Sequence, residues 1–111
     1  MYLDEIRDYA LILDDVDECF PFGEETFVYK TSGKIFLLMA FDEDQLRINV
    51  KCAPEEAIEL RERYSSIIAG YHMNKKHWNT IILNGGVDRS LVFECIKKSY
   101  MLVRKKKSNL R

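Results

Sequence analysis

The chain has 111 residues, 47% of them hydrophobic and 32% charged, with a formal net charge of −1. That length suits one domain, which can bury roughly two-thirds of its unfolded surface without a metal or disulfide staple. Six phenylalanines, six tyrosines and one tryptophan, with only two prolines, exclude a disordered, collagen-like or low-complexity chain.

Tyr2, Leu3, Ile6, Tyr9, Ala10 and Leu13 recur at helical spacing, which predicts an amphipathic helix over residues 2–13. Asp14, Asp15 and Asp17 favour its end and a turn. Thr26–Thr31 is a β-branched and aromatic strand, and Ser32-Gly33 a turn. Residues 34–41 are almost continuously apolar, as in a strand covered on both faces or nearly so. After the Asp42-Glu43-Asp44 turn, Gln45–Lys51 alternates: Leu46, Ile48 and Val50 on one face, Arg47, Asn49 and Lys51 on a wet one.

Pro54 starts a second helix, expected to reach about residue 66, to bury Ala57, Leu60, Tyr64 and Ile67, and to pair Glu59 with Arg63. A short strand over 79–83 closes at Asn84-Gly85-Gly86. Asp88 then caps a last helix with Leu91, Val92, Cys95, Ile96, Ser99, Leu102 and Val103 on one stripe. The order α-β-β-β-α-β-α, with one more short strand near Tyr71, predicts an α+β domain: an antiparallel sheet with helices packed against it. The reading is one domain over residues 1–111, with a basic, frayed tail at 104–111. No apolar run spans a bilayer, and the acidic N-terminus is unlike a signal peptide, so the expected location is the cytoplasm, away from membranes.

Cys19, Cys52 and Cys95 are odd in number and widely spaced, which reads as free, buried or half-buried thiols. Charge is uneven. Residues 1–25 carry nine acidic side chains and one arginine, whereas residues 70–111 carry ten basic and two acidic ones. Such asymmetry either offers a basic region to phosphates or lets the two halves attract each other.

Several segments could carry function. Ala69-Gly70-Tyr71-His72-Met73-Asn74-Lys75-Lys76-His77-Trp78-Asn79 gathers both histidines, the only tryptophan and two adjacent lysines. Such a loop suits phosphates and bases, or is a packed connection with its aromatics anchored inward. Lys30 and Lys34 flank a hairpin tip. Arg104, Lys105, Lys106 and Lys107 follow the last helix, where some cations merely complement the helix dipole. Phe20-Pro21-Phe22-Gly23 is expected to press both rings onto the core, the alternative being an exposed aromatic patch for a partner. No phosphate-binding glycine loop, nucleophile elbow or HExxH motif is present, and His72 and His77, five apart, make no metal set alone. The expectation is therefore a non-enzyme with no cofactor and no metal.

The chain resembles the MmcQ/YjbR family of small bacterial proteins over nearly its full length. The resemblance is carried by Phe20-Pro21-Phe22-Gly23, Tyr29-Lys30, Gly33-Lys34-Ile35-Phe36, Lys51-Cys52-Ala53-Pro54, Gly70 to Trp78, and Ser99-Tyr100-Met101-Leu102-Val103. Ala69 departs from the family's usual proline. The resemblance implies a five-stranded antiparallel sheet with three helices, α-β3-α-β2-α, similar to secretion-chaperone-like domains. It also implies binding of double-stranded DNA through a double-wing arrangement. By position, the wings would be the Lys30 to Lys34 hairpin and the Tyr71 to Trp78 loop. Phosphate contacts would come from Lys30, Lys34, Lys75, Lys76 and residues 104–107, with His72, Asn74, His77 and Trp78 toward bases or sugars. Two rivals stand beside this reading: a chaperone-like protein-interaction module, and a ligand pocket gathering His72, His77 and Glu24.

Overall fold

Residues 2–70 and 73–104 are described by the computed structural model. Helix α1 (Tyr2–Ile12) buries Ile6 and Ala10, with Asp4 and Glu5 in its positive first turn. The chain reverses at Asp15, whose φ is +61°, and enters an unexpected strand, β1 (Val16–Cys19). Asp17 therefore lies in a strand and not in a turn. Tertiary partners outweigh its local preference: Arg7 donates to the Glu18 carboxylate at 2.7 and 3.0 Å, and the Tyr29 hydroxyl at 2.7 Å. Those donors, Arg7 foremost, hold the Glu18 carboxyl below the usual carboxylate range.

Strands β2 (Thr26–Thr31), β3 (Lys34–Asp42) and β4 (Gln45–Lys51) form the expected meander. Its first turn, Ser32-Gly33, has positive φ at both residues, the twist that matches a two-residue hairpin. Helix α2 (Pro54–Arg63) is shorter than its periodicity predicts. It buries Ala57 but leaves Leu60 and Tyr64 half-buried, and Ile67 is buried in β5 (Ile67–Ala69) instead. Glu59 and Arg63 form no ion pair; the Arg63 guanidinium lies 5.7 Å from the Tyr64 ring centre. Strand β6 (Trp78–Ile82) begins one residue earlier than expected, and α3 (Arg89–Val103) follows. Asp88 occupies the N-cap position, but its side chain makes no capping hydrogen bond.

Among the described residues the sheet is fully antiparallel and has six strands, not five, in the order β1-β2-β3-β4-β6-β5. The additional strand is β1, and the short strand expected near Tyr71 lies at Ile67–Ala69. One face is covered: α3 packs on β3 and β4, α1 on β1, and α2 on β5 and β6. In register across that face run Phe27, Met39, Ile48 and Ile81, and beside them Tyr29, Leu37, Val50 and Asn79. The other face carries Val28, Leu38, Asn49 and Thr80 in one row and Thr26, Ala40, Arg47 and Ile82 in the next. Arg47 and Asn49 are half-buried there rather than fully wet, and Thr80 donates its hydroxyl proton to Asn49 Oδ1.

The ladder irregularity between Tyr29 and Lys30 is bridged from outside the sheet. Register there steps from Tyr29 opposite Leu37 to Lys30 opposite Ile35, leaving Phe36 as the extra residue of a bulge. The buried Ser99 hydroxyl of α3 accepts from Lys51 N–H at 2.8 Å and donates to the Phe36 carbonyl at 2.6 Å. One side chain thus satisfies two backbone groups at the end of the β3–β4 ladder. No helix among the described residues is long and apolar enough to cross a membrane.

Candidate nucleic-acid interface

Antiparallel pairing sends the β2–β3 turn, the C-terminal end of β4 and the start of β6 to the same end of the sheet. Lys30 and Lys34 flank that turn, Lys51 pairs with Trp78, and Lys75 and Lys76 lie three and two residues before Trp78. Helix α3 ends there too, since Arg104 and Val103 share a cavity of about 300 Å³ with Ser32 and Lys34. Six cations spread through the sequence therefore reach one rim. Lys34, Lys75 and Lys76 are exposed and make no ion pair among the described residues.

The loop entering β6 is held by backbone bonds. His77 and Trp78 N–H both donate to the Asn74 carbonyl, at 3.1 and 2.9 Å, and Asn74 Oδ1 accepts from Lys76 N–H at 2.9 Å. Asn74 thus closes its own turn, with an oxygen already engaged. His77 is half-buried, and its carbonyl accepts from Cys52 N–H at 2.7 Å. Gly70 N–H donates to the Trp78 carbonyl at 2.8 Å, and a Cβ at Gly70 would stand 2.8 Å from Trp78 Cβ. Glycine is needed there for close approach, a requirement invisible in the sequence.

Arg61 was not singled out by sequence reasoning. Its Nη1 donates to the Lys75 carbonyl at 3.1 Å and to Asn79 Oδ1 at 2.8 Å, while Asn79 Nδ2 donates to the Ala57 carbonyl at 3.2 Å. A fully buried amide and one guanidinium thus tie the lysine loop to α2. Lys51 also belongs to this rim, which alternation alone does not reveal, because it does not say which strand end a residue shares.

His72 and Lys105, Lys106 and Lys107 lie outside the described residues. Glu24, proposed beside the histidines, precedes β2 at the opposite end of the sheet from His77. Four residues of strand, about 13 Å, separate those ends, so the two do not share a pocket. Phe22 and Phe20 do not seal onto the core as expected: they are 64% and 43% exposed. Phe20 merely meets Phe27 edge-on at 5.2 Å. Cys52 and Cys95 are buried and Cys19 half-buried, all three as free thiols.

A helix-backed antiparallel sheet with a cationic rim defines this chain as a small α+β domain. Comparison with known proteins places it further. The YjbR family model matches residues 11–102, and the chain belongs to that family. It is 39% identical over 94 residues to the uncharacterised protein YbdF of Escherichia coli O157:H7, covering 85% of this chain and 77% of YbdF. It is 24% identical over 100 residues to YjbR of Escherichia coli K12, covering 90% and 85%. Among solved structures it resembles Deinococcus radiodurans protein DR2400 with a TM-score of 0.87 and 39% identity, covering 94% of this chain and 79% of that one. A Pseudomonas syringae protein superposes with a TM-score of 0.81 and 28% identity, covering 94% and 100%.

Proposed function

We propose that the cationic rim binds the phosphate backbone of double-stranded DNA, without enzymatic activity. The observation that carries this reading is the gathering of Lys34, Lys51, Lys75, Lys76 and Arg104 at one end of the sheet. The β2–β3 turn and the loop before β6 stand on either side of β4. Strand spacing sets them roughly 10–15 Å apart, close to the ~12 Å width of the major groove. Lys30 contributes least, because Asp17 faces it across the β1–β2 pair.

Anisotropy of a labelled 20-base-pair duplex at two salt concentrations tests the reading. Five neutralised phosphates weaken binding several-hundred-fold between about 50 and 200 mM salt. K75E with K76E is expected to abolish binding while leaving the fold intact. Absence of binding at low salt, or binding indifferent to salt, overturns the proposal. The protein-interaction reading would then rest on the opposite end of the sheet, where Phe22 and Phe41 are 64% and 62% exposed.

A further inference from the structure

We infer that the open face of the sheet holds a binding site for a small monocarboxylate with an apolar tail, centred on Arg47. This inference is independent of the nucleic-acid reading and uses the opposite end of the sheet.

The site follows from register. Arg47 and Asn49 are two apart on β4 and share the open face. Arg47 faces Ala40, which faces Thr26 on β2; Asn49 lies between Leu38 and Thr80. Because Ala40 is only a methyl, the surface between β2 and β4 is hollow. Thr26, Leu38, Ala40, Arg47, Asn49 and Thr80 line a groove of about 350 Å³. That volume is at the small end of the roughly 300–1,000 Å³ found for ligand pockets.

Its donors are underused. Arg47 Nε is buried and has no hydrogen-bond partner among the described residues. An unpaired buried donor is costly, and such exceptions call for an explanation. The guanidinium's one ion pair is loose, with Nη1 3.6 Å from Asp42 Oδ2, and the Asp42 side chain is 54% exposed. Thr80 occupies Asn49 Oδ1, so what Asn49 still offers is its Nδ2 donors. With Nε itself buried, the groove presents the guanidinium's Nη groups and Asn49 Nδ2 beside the apolar floor of Leu38 and Ala40, a match for one carboxylate on a short hydrocarbon. Asp42, the last residue of β3, itself lines the groove, so a ligand carboxylate takes its place beside Arg47; with Glu43 and Asp44 in the turn that follows, it discriminates against a doubly charged anion such as phosphate.

Amide chemical-shift titrations of the 15N-labelled protein test this with sodium hexanoate, hexan-1-ol and inorganic phosphate. Hexanoate should saturate shifts at Leu38, Ala40, Arg47 and Asn49, with hexanol and phosphate weaker by about tenfold or more. R47Q should weaken hexanoate about tenfold through loss of the charged donor. D42N should tighten it about threefold by freeing the guanidinium. The opposite signs separate a binding role from mere stability, and D42N remains informative even if R47Q fails to fold. The inference is overturned by the absence of saturable wild-type shifts, by equal binding of hexanol or phosphate, by R47Q binding as wild type, or by D42N binding no tighter.

Discussion

The two faces of the sheet are built from the same strands and differ in what completes them. On the covered face, Tyr29, Leu37, Met39, Ile48, Val50 and Ile81 are fully buried beneath three helices. Even its polar residue is satisfied, with Asn79 bonded to Arg61 and the Ala57 carbonyl. On the open face, Val28, Leu38 and Thr80 are buried, yet Ala40 leaves a hollow and Arg47 Nε has no partner among the described residues. The covered face spends its side chains on stability. The open face and the cationic rim retain polar groups whose strongest interactions are still available, and binding chemistry is expected there.

Paired substitutions on the two faces give the largest contrast. Phe36→Ala removes a fully buried ring that meets Tyr100 edge-on at 5.3 Å, and should cost about 3–5 kcal/mol in urea unfolding. Leu38→Ala, on the open face, should cost less, about 2 kcal/mol, because a groove beside it can take up the change. Equal losses would break the distinction between the faces. Ser99→Ala should cost about 2 kcal/mol by stranding Lys51 N–H and the Phe36 carbonyl together, whereas Ser99→Thr keeps the hydroxyl. Gly70→Ala drives a methyl against Trp78 and should cost about 1–2 kcal/mol, shifting the amides of the 73–77 loop.

Smaller effects come from titration. The Glu18 carboxyl is lowered, so its contribution is present above the unfolded carboxylate value and is lost as pH falls through the folded one. Glu18→Gln should therefore flatten the acid limb of the stability profile. Burial pushes the Cys52 and Cys95 thiols up to about 11 and about 12. These thiols stay protonated, and the stability they confer falls only as pH rises above the unfolded thiol range toward those values. At pH 8, Ellman's reagent should modify half-buried Cys19 first and reach the other two only on unfolding. Lys34→Glu should change stability by less than about 0.5 kcal/mol, since Lys34 is exposed.

Much of the fold was legible because period and punctuation act locally. Thr26–Thr31, Gln45–Lys51 and the Pro54 helix start stand where alternation and proline put them. Strand β1 was not legible, because Asp14, Asp15 and Asp17 read as a helix end and turn until Arg7 and Tyr29 come to Glu18 from elsewhere in the chain. The end of α2 was misjudged for a related reason. Its helical stripe continues through Tyr64 and Ile67, but β6 offers Ile67 a strand partner in Ile81.

The sequence by itself determined the α+β class, the meander and its turns, the free thiols and the family, through patterns that neighbouring residues impose on one another. Only the tertiary structure decided that the distant lysines share one rim, that Gly70 must admit Trp78, that Ser99 bridges a bulge, and that Arg47 lies over a hollow. Each of these depends on strand register and helix placement, which bring residues of separate elements side by side and leave no local trace in the chain.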